Sequence, residues 1–141
     1  MTVSLGMDLG EKRIGIAVSD EMGLVANSLV TLAYTGRKHF LEDFKKILSE
    51  YNPKMVVVGL PKTLKGETGP AAQRVLDQVE WLKKEIPLKW VLWDERFTTQ
   101  EVEKMLISAD ISRGKRKKVK DALAAQRILQ SYLDSKRGQS G

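Results

Sequence analysis

The chain has no cysteine among its 141 residues. Disulfides and thiolate metal sites are therefore excluded, and the composition agrees with a reducing compartment. Histidine occurs once, as His39, at the start of a helical segment remote from every motif, and is expected on the surface. No apolar run approaches the roughly 18 residues of a membrane span. No basic region leads an apolar stretch at the N-terminus, so no signal peptide and no membrane association are expected, and the cytoplasm is the expected location. Repeats and low-complexity segments are also missing. What remains is a chain with 42% hydrophobic residues, too many for disorder and enough for one core. A single domain over residues 1–135 with a frayed tail at 136–141 is the expected organisation.

Charge is unevenly placed. Lys and Arg total 24 against 18 acidic residues, a net of +6. Six of the basic residues, Arg113, Lys115, Arg116, Lys117, Lys118 and Lys120, crowd into one stretch with no acid among them. Without that stretch the chain balances at 18 of each sign. A loop gripping nucleic-acid phosphates has this signature; a solvated charge run has it too.

The hydrophobic period changes along the chain. Residues 3–9 and 13–19 alternate, with Val3, Leu5 and Met7 on one face and Ser4, Gly6 and Asp8 on the other, then Ile14, Ile16 and Val18 opposite Gly15, Ala17 and Ser19. Residues 24–32 make a third run, and short turns between the three predict an antiparallel meander. Phe40, Leu41, Phe44, Ile47, Leu48 and Tyr51 then fall at helical spacing up to Asn52-Pro53. The continuous apolar run 55–58 predicts a strand buried on both faces. Pro70 suits the first turn of a helix burying Val75, Leu76, Val79 and Leu82, and 88–93 is a fifth strand. Thr98-x-x-Glu101 is a capping box for a helix with Val102, Met105 and Leu106 inside. The basic stretch follows as a loop, and a last helix covers 119–135. The order βββαβαβαα predicts an α/β fold: a mixed five-stranded sheet, three antiparallel strands then two parallel, flanked by helices.

Acidic residues stand where this fold gathers sites. Asp8 ends the first strand on the face of Ser4 and Gly6, a poor place for a carboxylate unless it caps the following turn or binds something. Asp94 and Glu95 close the fifth strand and alternate in direction, so one of them points toward a site beyond the strand ends. Asp121 shares the inward stripe of Ala124, Ala125, Ile128, Leu129 and Tyr132, although an acid opening a helix also complements its dipole. Carboxylates from two strands and a helix would repel one another without a cation, and such oxygen cages suit Mg²⁺ together with substrate phosphates.

At this point whole motifs match a known family. Gly6-x-Asp8-x-Gly10-x-Lys12-Arg13-Ile14-Gly15-x-Ala17-x-Ser19-Asp20 resembles the opening motif of the YqgF family of Holliday junction resolvases and pre-16S rRNA nucleases. Val57-Val58-Gly59-Leu60-Pro61, Asp94-Glu95-Arg96-x-Thr98-Thr99 and Asp121-Ala122-Leu123-Ala124-Ala125-x-x-Ile128-Leu129 resemble its later blocks, in order. The resemblance covers nearly the whole chain and implies an RNase H-like fold. It implies that Asp8, Glu95 and Asp121 are the catalytic, metal-binding acids, which selects Glu95 over Asp94, and that Mg²⁺ or Mn²⁺ is the cofactor.

The expected function is a metal-dependent endonuclease on structured RNA or branched DNA. Arg13, Lys62, Arg96 and the six cations of 113–120 are the expected nucleic-acid contacts. Thr98 and Thr99 are expected to cap a helix, and Trp81, Trp90 and Trp93 to pack. Two rivals stand beside this. A sugar-kinase-like phosphate hairpin shares Gly6-x-Asp8-x-Gly10, but a chain this short without a repeat lacks the second domain that closes a nucleotide cleft. A non-catalytic nucleic-acid scaffold of the same fold is the other, and three retained acids argue against it. Backbone chemistry does not distinguish RNA from DNA, and a monomer or weak homodimer is expected, although resolving a junction needs a pair of active sites.

Overall fold

The computed structural model describes residues 2–61, 69–94 and 113–140, with side chains of the last stretch described from Asp121 to Lys136. Strands β1 (Ser4–Leu9), β2 (Arg13–Ser19) and β3 (Ala26–Ala33) are followed by α1 (Arg37–Tyr51), β4 (Met55–Leu60), α2 (Pro70–Glu85), β5 (Lys89–Asp94) and α3 (Arg113–Ser140). The helix expected after Thr98 lies outside the described residues. The five strands form one sheet in the order β3-β2-β1-β4-β5. β1–β2 and β2–β3 pair antiparallel, β1–β4 and β4–β5 parallel, as the alternation of turns and helical crossovers requires.

The two faces of the sheet are built from different side chains. Leu5, Met7, Leu9, Ile14, Ile16, Val56 and Val58 form one face and pack against Phe40 and Phe44 of α1 and Val75, Val79 and Leu82 of α2. This is the larger core, and Phe40 and Phe44 stack within it at 5.4 Å. The opposite face carries Ala17, Ala26 and Val57 and is covered by α3 through Ala125, Ile128, Leu129, Tyr132 and Leu133. Val56, Val57 and Val58 are all fully buried, because β4 lies between β1 and β5 and is covered on both sides.

The small-residue face is a condition for α3 to sit where it does. A Cβ on Gly6 would stand 2.7 Å from both the Ala125 carbonyl oxygen and the Leu129 Cβ. One on Gly15 would stand 2.0 Å from the Asp121 carbonyl oxygen. At these two places helix backbone lies directly on strand backbone, closer than any side chain allows.

Helix ends follow local chemistry. α1 stops at Asn52, which takes a left-handed conformation (φ 48°) and donates its N–H to the Leu48 carbonyl. Pro70 opens α2, where its missing N–H costs nothing. Two expectations need correction. α3 is helical from Arg113 and runs to Ser140, so the basic stretch 113–120 is wound on a helix and is not a loop: Lys and Arg are strong helix formers. β3 begins at Ala26, two residues later than its apolar run, because Asp20 Oδ1 accepts the N–H groups of Leu24 (2.8 Å) and Val25 (3.2 Å) and holds them in a turn.

Gly15→Ala should destabilise the fold by about 3 kcal/mol, the upper range for overpacking, since the clash is with backbone and no rotamer relieves it. Gly23, at φ +71° with nothing within 4 Å of where a Cβ would stand, is the control: Gly23→Asn should change stability by less than about 1 kcal/mol. Urea unfolding of both variants checks the contrast, and a harmless Gly15→Ala would contradict the close approach.

Candidate active site

The parallel strands β1, β4 and β5 end along one edge, since Met7 pairs with Val58, Val58 with Leu92 and Leu60 with Asp94. Sites of open α/β sheets form beyond such an edge. Asp8 stands there, one residue before the end of β1, and pairs across the ladder with Gly15. Residues facing each other on paired strands share a side, so Asp8 lies on the face that α3 covers, with Gly6 and Gly15. The Asp121 backbone lies against Gly15. One glycine thus brings together two acids separated by more than a hundred residues. Both side chains are partly buried.

Asp121 is not an N-terminal acid. It sits more than two turns inside α3, beyond the first turn within which the dipole acts. Its burial with the Ala124–Ala125–Ile128–Leu129 stripe agrees with the inward position expected from helical spacing. Arg13, at the start of β2, donates from Nε to Asp121 Oδ2 at 2.8 Å. The exposures of these side chains, 33% and 15%, make this a half-sheltered, charge-assisted pair. Arg13, an expected phosphate contact, engages a carboxylate through its Nε.

Asp94 is on the other face. Trp93 packs edge-on against Tyr132 of α3 at 5.4 Å and donates its indole N–H to Ser131 Oγ. Strand alternation therefore turns Asp94 away from α3. Glu95, Lys62, Arg96, Thr98 and Thr99 lie outside the described residues, as do the side chains of Arg113, Lys115, Arg116, Lys117, Lys118 and Lys120. Among the described residues no group of three or more His, Cys, Asp or Glu side chains gathers as a metal cage. The two acids at Gly15 nonetheless suit a hard cation, because Mg²⁺ takes oxygen donors and often only one or two carboxylates, the rest of its shell being water and phosphate.

Arg74 joins the site without any expectation from sequence. From α2 its Nη1 donates to the Leu9 carbonyl at 3.1 Å, and its Nε lies 3.9 Å from Glu11 Oε1. It pins the end of β1 immediately after Asp8. No local signal distinguishes it from other charged residues on a helix surface. His39 is exposed, bonded to Thr35 Oγ1 and 3.6 Å from Asp43. Trp90 donates to the Ile86 carbonyl and meets Phe44, and Trp81 lies under the Arg37 guanidinium.

Ser19 and Asp20 close the opening motif but stand at the far end of β1, about four residues or roughly 13 Å from Asp8. Ser19 Oγ accepts the Ser4 N–H at 2.8 Å and donates to the Asp20 carbonyl. Asp20 builds the β2–β3 turn, which α3 also ties: Gln130 accepts from Ala26 N–H and donates to the Leu24 carbonyl, and Gln126 donates to the Ala26 carbonyl. The N–H groups of Leu24 and Val25 hold the Asp20 carboxyl below its ordinary pKa of 3.8. Its charged form therefore adds stability above pH 3.8, and that stability is lost as the pH falls through the lower folded value. Asp20→Ala should accordingly lower the melting temperature at neutral pH, with the gap to wild type closing in strong acid. A gap that is constant with pH would rule this out.

Known proteins place this geometry. The family model described as "RuvX: Holliday junction resolvase" matches residues 2–135. A Thermoanaerobacter pseudethanolicus protein named "Putative pre-16S rRNA nuclease" is 48% identical over 134 residues, covering 94% of this chain and 96% of that protein. One of the same name from Geobacillus kaustophilus is 48% identical over 136 residues, covering 95% and 99%. A solved structure described as "T. thermophilus RuvC in complex with Holliday junction substrate" superimposes with a TM-score of 0.58 at 15% identity, over 98% of this chain and 97% of that one. At that identity the likeness speaks for the fold, which is RNase H-like. Among the described residues no helix is long and apolar enough to cross a membrane.

Proposed function

Because the chain belongs to the RuvX family of nucleases, matched along residues 2–135, we propose that it is a Mg²⁺- or Mn²⁺-dependent endonuclease that trims the 5′ side of precursor 16S ribosomal RNA in the bacterial cytoplasm. The observation that carries this is the meeting of Asp8 and Asp121 at Gly15, on the strand edge. Two carboxylates from distant parts of the chain are brought to one strand edge, and a hard divalent cation takes one or two carboxylates together with water and phosphate oxygens.

Asp8 and Asp121 would hold the cation, with Glu95 as the third acid. Glu95 is preferred because Asp94, its neighbour, belongs to the opposite face of β5. A divalent ion in such a site supplies an activated water and stabilises the leaving oxygen of a phosphodiester. The chain's own residues do the rest. Arg74 fixes the turn after Asp8, Gly15 sets the distance between β2 and α3, and the larger core holds the strand edge rigid. Lys62, Arg96 and the basic start of α3 would grip the phosphate backbone.

Ribosomal RNA is preferred over a four-way junction because the near-half-identical relatives carry that name. Junction resolution also demands two coordinated cuts by a two-fold pair of sites. A cleavage panel decides between them. With Mg²⁺ or Mn²⁺, precursor 16S RNA should be cut, the four-way junction should not, and Asp8→Asn should reduce the rate by about a hundredfold or more. Preferential cleavage of the junction would reverse the substrate assignment. Binding of both without cleavage would mean a non-catalytic scaffold.

A further inference from the structure

We infer that Arg13 is the built-in counter-ion of the cation site, occupying Asp121 until a divalent ion arrives and so setting how tightly that ion binds. The inference rests on the reading of Asp8 and Asp121 as cation ligands and adds how their charge is managed without a cation.

The Arg13 Nε–Asp121 Oδ2 contact, at 2.8 Å, joins residues 108 apart in sequence and is made on the same face as Asp8 and Gly15. Asp121 is the more enclosed partner, its side chain 15% exposed, so its charge has little water to lean on. Two acids brought to one glycine repel, and a cation beside the more enclosed of them offsets that repulsion. A guanidinium relieves it at any working pH because it does not deprotonate. Its Nε reaches the carboxylate while the terminal nitrogens lie further out on the planar fork. A divalent ion that takes Asp121 must therefore bind Oδ1 beside Arg13, share Oδ2 with it or displace it. In each case part of the ion's binding energy is spent against a resident positive charge. The metal-free protein gains stability and the cation site loses affinity. A guanidinium released by the incoming ion is left beside the site, where the phosphate of a substrate arrives.

The test uses the full chain without nucleic acid, titrated with Mn²⁺ and then Mg²⁺ in a calorimeter. Melting temperatures in EDTA are measured alongside, for wild type, Arg13→Gln, Arg13→Lys and Asp8→Asn. Arg13→Gln should melt lower in EDTA, bind Mn²⁺ about tenfold more tightly, the scale of one neighbouring charge, and gain more stability from Mn²⁺ than wild type does. Arg13→Lys keeps the charge and should keep an affinity near wild type. Cation uptake by Arg13→Gln but not by wild type would support the inference in its strongest form. If Arg13→Gln unfolds in EDTA but folds in Mn²⁺, the ion has replaced the lost guanidinium, which supports it equally. Failure to fold even with Mn²⁺ would overturn it, as would unchanged or weaker Mn²⁺ binding by a folded Arg13→Gln. In those two cases wild-type binding that disappears in Asp8→Asn would leave the cation site itself standing. If neither wild type nor Arg13→Gln takes up either ion, both the inference and the metal-dependent function fall.

Discussion

The structure depends on one close approach. α3 lies backbone to backbone on the β1–β2 hairpin, and it can do so only because positions 6 and 15 carry no side chain. At Gly15 the space for a Cβ is filled by the Asp121 carbonyl oxygen, 2.0 Å away. The geometry of the site follows from that contact. Asp8 faces Gly15 across the ladder, Asp121 rests on it, and Arg13, two residues before it, reaches the Asp121 carboxylate. Any larger residue at 15 would move the helix outward and separate the acids.

The two faces of the sheet divide the labour accordingly. Large apolar residues from five elements fill the space beneath α1 and α2. That core supplies most of the apolar burial that stabilises a domain of this size. The α3 face uses alanine, valine and glycine at its buried strand positions, with Met55 and Trp93 packed at its margin, and exchanges bulk for proximity. Its lost packing is compensated by polar ties at the far end, where Gln126 and Gln130 bond the backbone of Leu24 and Ala26. The helix is thus fixed by hydrogen bonds from Gln126 and Gln130, interleaved with the apolar stripe from Ala124 to Leu133, and by the Arg13–Asp121 pair just before that stripe.

Sequence patterns carry the architecture because burial imposes period. Alternation at 3–9 and 13–19, the unbroken apolar run at 55–58 and the helical stripe at 124–132 each report which face is covered. The parallel or antiparallel sense of each pair follows from connection length. Asp121's inward position is legible from the same stripe. The start of its helix is not, because a run of Lys and Arg looks like a loop when judged by charge and like a helix when judged by backbone preference, and the helix follows the second. The pairing of Arg13 with Asp121 is not legible, because the two are 108 residues apart, beyond any local pattern. Asp20 sits inside the motif yet serves a turn, a role visible only once its oxygen is seen to meet two N–H groups. The glycines of the motif are visible as letters; their reason is a helix that arrives a hundred residues later.

The central claim is that Asp8 and Asp121 converge at Gly15 to hold a divalent cation. Crystals grown with Mn²⁺ and measured at a wavelength where manganese scatters anomalously address it directly. The expected result is an anomalous peak in contact with carboxylate oxygens of both Asp8 and Asp121. A saturated crystal with no peak there, or with manganese bound only elsewhere, would contradict it.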